Sequence, residues 1–200
     1  KVFNDAFGEL FNQGSPEYIL RHAVPILDRF KHRIDLRLEY RQARPDSDYR
    51  SILNNHVHVE LSYAGKPVNK PHLFLNEARL SAVAISIYLG MIKRHIQLIP
   101  CKILFLDDIF IGLDIANRLP LLEILASEFK DYQLFVTTYD KSWYEYVRGF
   151  LEGDKTWKTL EFYAEETAAG YEMPRIYGDR EYIEKAQWHY DNFDYKAAAV

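Results

Sequence analysis

The chain has 200 residues, 48% of them hydrophobic, with a formal charge of −4 at pH 7 and a single cysteine. That length and apolar fraction allow one domain, or a domain with an appendage, around a sizeable core. They exclude nucleic-acid binding through bulk positive charge, and one thiol excludes an internal disulfide and fits a reducing compartment.

No run reaches the roughly 18 apolar residues of a membrane span, and no signal-peptide pattern opens the chain, so a cytoplasmic protein with no membrane partner is expected. There is no initiator methionine, and Lys196-Ala197-Ala198-Ala199-Val200 reads as the middle of a helix. A fragment of a longer protein is therefore expected.

Residues from about Val2 to Phe30 read as helical, with Pro16 suited to a first turn after Ser15 and Ile19, Ala23, Ile26, Leu27 and Phe30 recurring at helical spacing. Next, Ile34, Leu36, Leu38 and Tyr40 alternate with Asp35, Arg37 and Glu39, and Val57, Val59, Leu61 and Tyr63 alternate with His58, Glu60 and Ser62. Both segments predict half-buried strands. Arg44-Pro45-Asp46-Ser47-Asp48 between them reads as a turn or mobile loop. Arg29, Lys31, Arg33, Arg37, Arg41 and Arg44 form a basic strip, read as either a solvated face or a local nucleic-acid contact. His56 and His58, two apart on a strand, share a face and would suit a metal if a third ligand were near.

After Gly65-Lys66-Pro67, a long apolar helix is expected from about Asn76 to Ile96. Leu80, Val83, Ala84, Ile87 and Met91 line one face and Ile85, Leu89 and Ile92 another, which predicts a buried helix. Then comes Ile103-Leu104-Phe105-Leu106-Asp107-Asp108, with Gly112-Leu113-Asp114 one short loop on. Four apolar residues in a row, preceded by Pro100-Cys101-Lys102, suit a strand covered on both faces in a parallel sheet. The carboxyl end of such a strand is where these sheets place ligands. Two neighbouring carboxylates there repel unless a cation or a reaction uses them. Mg²⁺, which takes one or two carboxylates plus substrate oxygens, would relieve that cost; a polar turn with capping aspartates is the plainer alternative.

A helix from about Ile115 to Lys130, a buried strand from Tyr132 to Thr138 ending in Thr137-Thr138-Tyr139-Asp140, and a helix from Ser142 to Phe150 follow. This rhythm predicts an α/β fold: a mainly parallel sheet flanked by helices, with antiparallel strands on its N-terminal side and a helical C-terminal appendage. Lys158 to Phe162 reads as one more strand, Glu165 and Glu166 as polar helix or turn residues, and Tyr182 to Val200 as an amphipathic helix. Trp143, Tyr144, Tyr146, Trp157, Tyr163 and Tyr171 form an aromatic-rich stretch, suited to covering a sheet edge, docking a partner, or stacking bases.

These motifs, in this order, resemble the carboxyl-terminal half of an ABC-type ATPase head of the SMC/RecF/SbcC class over about residues 34 to 150. The resemblance implies the following. Residues 1–31 are the helical foot of an upstream insertion, 32–168 the C-terminal lobe of the head, and 169–200 an appendage. Ile103 to Asp108 is the Walker B strand, in which Asp107 holds Mg²⁺ through water and Asp108 activates the attacking water, although relatives usually carry Glu at the second place. Gly112-Leu113-Asp114 is the D-loop, with Asp114 reaching across a dimer interface. The segment His72 to Ala82 is the signature, whose helix start meets the γ-phosphate of a nucleotide held by the other subunit. The usual serine and paired glycines are missing from it; Asn76 stands as a side-chain contact and Glu77 as the acid that follows the glycines. Tyr139 occupies the place of a histidine that senses the γ-phosphate. The string Phe74-Leu75-Asn76-Glu77-Ala78-Arg79-Leu80-Ser81 is similar to the signature region of bacterial phage-defence and restriction-linked ATPases.

No Gly-x-x-x-x-Gly-Lys-Ser/Thr phosphate loop occurs in these residues. The resemblance places that loop on an N-terminal lobe far upstream, so ATP and Mg²⁺ are the expected cofactors but the chain alone should not hydrolyse ATP. The expected partners are that lobe, a second copy closing an ATP sandwich, and a nucleic acid or nuclease effector. Two other functions compete: a non-hydrolysing assembly scaffold with an ATPase-like fold, and a Toprim-like metal-dependent nuclease built on Asp107 and Asp108, which requires a further acidic strand end with a glutamate.

Overall fold

A computed structural model describes residues 2–48, 50–54, 56–95, 101–166, 170–177 and 182–193. Pro100, Ile96 and the terminal Lys196 to Val200 segment lie outside the described residues, as does the end of the helix expected to run to Val200. The chain divides into two compact units, Lys1–Tyr139 and Asp140–Val200.

In the first unit, the helical stretch expected up to Phe30 is two helices, α1 (Val2–Phe11) and α2 (Leu20–Arg29). They are separated by a turn in which the Asn12 carbonyl accepts from the Ser15 amide at 2.9 Å and the Ser15 hydroxyl accepts from the Glu17 amide at 3.0 Å. The Asn12 side chain also accepts, from the Gly14 amide at 3.0 Å, and such Ser and Asn side-chain bonds compete with helical ones. Strand β1 (Ile34–Tyr40) pairs antiparallel with β4 (Val57–Tyr63), which pairs antiparallel with β5 (Lys66–Val68). The loop expected between the first two strands carries a small ladder, β2 (Arg44–Pro45) against β3 (Ile52–Leu53). The alternation of β1 turns Ile34 and Leu36 inward, where with Leu61 they meet Ile19, Leu20, Ala23 and Leu27 around α2. Helix α1 is tied to the far end of β1 through Asn4, whose Nδ2 donates to the Ala43 carbonyl at 2.8 Å and whose Oδ1 accepts from the Ala43 amide at 2.9 Å and the Tyr40 hydroxyl at 2.5 Å.

A short α3 (Pro71–Phe74) leads into α4 (Glu77–His95). Its core line is Ala78, Ala82, Val83, Ser86, Leu89 and Gly90, in which the buried Ser86 hydroxyl donates to the Ala82 carbonyl at 2.7 Å. Ala84 and Met91, expected to be buried, are exposed, as is Tyr88. The helix is apolar on several sides, and its main buried side is the one packed on α2. Ion pairs on the rim of this packing tie α2, α4 and α5 (Ile115–Glu128). Arg29 lies 3.8 Å from both Glu123 and Glu128, Lys93 Nζ donates to Glu128 at 2.5 Å, and Arg94 reaches Glu17 at 2.8 Å. The Lys93 ammonium holds the Glu128 carboxyl below its usual range. The basic strip is thus interleaved with acids: Arg29 is paired, Arg41 lies 3.4 Å from Glu39, and Arg37 stands opposite Glu60 in the strand register.

Strand β6 (Ile103–Leu106) runs parallel to β7 (Gln133–Val136), joined by the α5 crossover. Covering of this strand on both faces is corrected: Leu104 and Leu106 are buried, but Ile103 and Phe105 are 59% and 64% exposed. The exposed face is a continuous apolar one, because Phe105 stacks on Phe135 of β7 at 4.8 Å between ring centroids. At the other end of the pair, Lys102 bonds Asp131 and holds its carboxyl below the usual range.

The second unit holds α6 (Lys141–Phe150), the antiparallel hairpin of β8 (Glu161–Glu166) and β9 (Glu172–Tyr177), and α7 (Tyr182–Asp191). Glu165 and Glu166 are strand residues here, paired with Met173 and Glu172, and not helix or turn. Asp140 caps α6, its carboxylate accepting from the Trp143 amide at 3.0 Å.

Candidate functional site

The parallel register sets the site. Leu106 pairs with Val136, and the ladder runs one step further as the Thr137 amide donates to the Leu106 carbonyl at 3.0 Å. Asp107 and Asp108 therefore leave the carboxyl end of β6 beside Thr137, Thr138 and Tyr139 leaving β7. The Thr137 hydroxyl donates to Asp107 Oδ1. The Asp108 amide donates to Thr137 Oγ1 at 3.2 Å, and the Tyr139 amide donates to Asp108 Oδ1 at 3.3 Å.

Asp108 has φ 49°, the left-handed region that Asp and Asn tolerate better than other side-chain-bearing residues. That conformation turns the chain sharply off the strand. Its carbonyl accepts from the Ile111 amide at 3.1 Å, Phe110 accepts from the Leu113 amide at 3.1 Å, and both Phe110 and Leu113 are buried, anchoring the loop. The loop ends at Asp114, the N-cap of α5, whose Oδ1 accepts from the Asn117 amide at 3.0 Å and from Asn117 Nδ2 at 2.7 Å.

This loop lies against the start of α4. A Cβ added at Gly112 would stand 2.8 Å from the Ser81 hydroxyl oxygen. Asn76 caps α4, its Oδ1 accepting from the Arg79 amide at 3.1 Å, and Glu77 is an exposed first-turn acid where the helix dipole favours negative charge. Arg79 sits over the Tyr63 ring at 5.2 Å. His32 joins the two segments from a turn flanked by the positive φ values of Lys31 and Arg33. Burial and then the Arg79 charge hold its imidazole below the ordinary range, against a raising pull from Asn117 and Asp114.

Asp107, Asp108 and Tyr139 are thus brought together at one strand end, with the ring of Tyr139 76% exposed. Asn76, Glu77, Gly112 and Asp114 form a neighbouring group in which Asn76 and Asp114 each act as a helix cap. The residue that the sequence reading passed over is Thr137. The signal was there: in a parallel pair the residue that follows the second strand lies next to the acid that follows the first.

The donor set suits a hard divalent cation. Among the described residues no group of three or more His, Cys, Asp or Glu could hold a metal, but Mg²⁺ usually takes only one or two carboxylates from protein, the rest being water and phosphate oxygens. His56 and His58 do meet, Nε2 to Nε2 at 3.0 Å, without a third such ligand among the described residues. Strand β7 is followed by Thr137 rather than by an acid, and no glutamate-bearing strand end joins Asp107 and Asp108 among the described residues.

The architecture these elements define is a P-loop NTPase-like mixed α/β fold. No family model matches the chain, and no curated protein matches it. Among solved structures it is similar to a chain from work on ATP-driven dimerization and DNA-stimulated activation of SMC ATPases. There the identity is 16%, 96% of this chain and 97% of that chain are covered, and the TM-score is 0.55. It is also similar to an Smc head bound to the C-winged helix domain of ScpA, at 16% identity and a TM-score of 0.54, covering 87% of this chain and 45% of the other. The fold is therefore similar to part of an SMC ATPase head, the chain spanning 45% of the Smc head it matches.

The packing of the loop on α4 carries a prediction. Gly112→Ala has no left-handed φ to strain it, and its only close contact is a serine hydroxyl that can rotate to another staggered well, so the cost should be about 1 kcal/mol or less. Urea unfolding of Gly112→Ala alone and with Ser81→Ala checks this; a larger loss that Ser81→Ala does not relieve would contradict the contact.

Proposed function

We propose that this chain is the signature, Walker B and D-loop part of an ABC-type ATPase head, which binds and hydrolyses ATP when a phosphate loop from another part of the protein completes the site. The observation that carries the reading is the Asp107-Asp108 pair at the carboxyl end of a parallel strand, followed by a short loop seated on the helix that begins at Asn76. Asp107 would be the residue that holds Mg²⁺. The ion, when bound, neutralises charge on phosphate oxygens. Asp108 accepts a proton from the attacking water on the carboxylate oxygen that the Tyr139 amide leaves free.

Asn76, Glu77 and Asp114 face a nucleotide across the interface with a second copy, and Tyr139 stands at the γ-phosphate as a neutral hydrogen-bond donor. The exposed apolar face of Ile103, Phe105 and Phe135 seats the lobe that brings the phosphate loop. A role in DNA-related or phage-defence processes, through a nucleic acid or nuclease effector in the cytoplasm, rests on the Phe74 to Ser81 string.

In the full-length protein, ATP should drive dimerisation and release phosphate. Asp107→Asn should weaken the Mg²⁺-dependent step and leave Mg²⁺-independent nucleotide binding in place, checked by Mg²⁺ titration of turnover. Absence of ATP binding by the full-length protein would refute the reading. A second reading has its own support: Asn76 and Asp114 already serve as caps, and Tyr139 stands in place of a histidine. On that reading the fold is a scaffold that dimerises on ATP without hydrolysis, and steady phosphate release excludes it.

A further inference from the structure

One hydroxyl touches both acids. Thr137 donates to Asp107 Oδ1 and accepts from the Asp108 amide at 3.2 Å, which uses the single donor and one of the two acceptor sites that a hydroxyl has. Asp107 and Thr137 are both exposed, so the orientation of the Asp107 carboxylate is not set there by burial. An exposed Asp side chain otherwise samples several rotamers, whereas a β-branched threonine has a restricted χ1 and is itself fixed by the amide bond from Thr137 to the Leu106 carbonyl. The second bond braces the strained turn at Asp108, whose other restraint from β7 is the Tyr139 amide on its carboxylate.

We infer that Thr137 is a positioning residue of the cation site, aiming the Asp107 carboxylate and holding the Asp108 turn through one hydroxyl. The inference rests on the proposed ATPase reading. Groups that orient metal-ligating side chains are commonly worth as much as a factor of ten or more in metal affinity.

Thr137→Val keeps the branched shape and removes the hydroxyl; Thr137→Ser keeps the hydroxyl and removes the methyl. The test uses the full-length protein with a non-hydrolysable ATP analogue and Mn²⁺ as a spin probe, reading bound Mn²⁺ by electron paramagnetic resonance. Thr137→Val should raise the Mn²⁺ dissociation constant about tenfold, with nucleotide affinity in the absence of metal unchanged, and Thr137→Ser should restore wild-type binding. Unchanged Mn²⁺ affinity in the valine variant overturns the inference and leaves the ATPase reading standing, as does equal impairment in the serine variant, which would assign the effect to the methyl group. Wild-type protein that takes up no nucleotide overturns both.

Discussion

Replacing Asp108 with Asn in the full-length protein should lower ATP turnover by about 100-fold or more, the lower end of what a general base usually contributes. Nucleotide binding should be kept. The substitution is clean for structural reasons. Asn tolerates the φ of 49° at this position about as well as Asp does, and its amide oxygen can still accept from the Tyr139 amide as Asp108 Oδ1 does. What it loses is the charge and the proton-accepting oxygen. The loss should fall on kcat and leave KM nearly unchanged, the pattern of an interaction used only in the transition state. Phosphate release and equilibrium nucleotide binding, measured on one preparation, decide it. Turnover at the wild-type rate would remove Asp108 from the mechanism, and loss of binding would mean that the carboxylate serves nucleotide retention instead. Ala is a poorer test, since it would give up both the left-handed tolerance and the tie to β7.

The left-handed backbone at position 108, with φ 49°, favours Asp over a longer acid. A straight-chain residue pays about 1–2 kcal/mol in the left-handed region, and Asp pays less because its short side chain bonds locally. Nothing in the residue string Leu106-Asp107-Asp108-Ile109 announces that backbone angle. It becomes visible only once the parallel register with β7 puts Thr137 and the Tyr139 amide within bonding distance. Both acids are legible in the residue string itself, whereas the hydroxyl that holds them lies some thirty positions away and is found only by pairing the two strands.

Periodic segments are legible in the sequence for a physical reason. In β1 the two-residue alternation coincides with one buried and one wet face, and Asn76 followed by an apolar run does begin a helix. Reading fell short where burial depends on something other than the local pattern. Ile103 to Leu106 is uniformly apolar, which predicts cover on both sides, yet Ile103 and Phe105 lie on an open face. Strand β9 contains Pro174 and lacks clean alternation, so nothing local marked it. The break after Phe11 was hidden because apolar spacing continues through it into α2, and the turn bonds of Asn12 and Ser15 decided otherwise.

The packing of α2 on α4 should prove least tolerant at Gly90. A Cβ there would lie 2.7 Å from the Ala23 backbone nitrogen and 2.8 Å from Ala23 Cα and Cβ. Ala is favoured over Gly inside a helix by up to about 1 kcal/mol, so propensity alone predicts that Gly90→Ala stabilises. Overpacking a closed core costs about 1–3 kcal/mol, and the upper part of that range applies because the obstacle is mostly backbone, which cannot rotate away as a hydroxyl can. We therefore expect Gly90→Ala to be destabilising by about 2 kcal/mol net, or a fall in Tm of roughly 4–8 °C for a chain of this size. Ala23→Gly should not rescue it, since the backbone of α2 still stands in the way after the Ala23 methyl is gone. Chemical and thermal unfolding of both single variants and the double variant tests the cycle. A Gly90→Ala protein as stable as wild type would mean that the two helices are free to separate by several tenths of an ångström. The closed seam between α2 and α4, on which the position of Asn76 and hence of the loop at Gly112 depends, would then be looser than its close packing indicates.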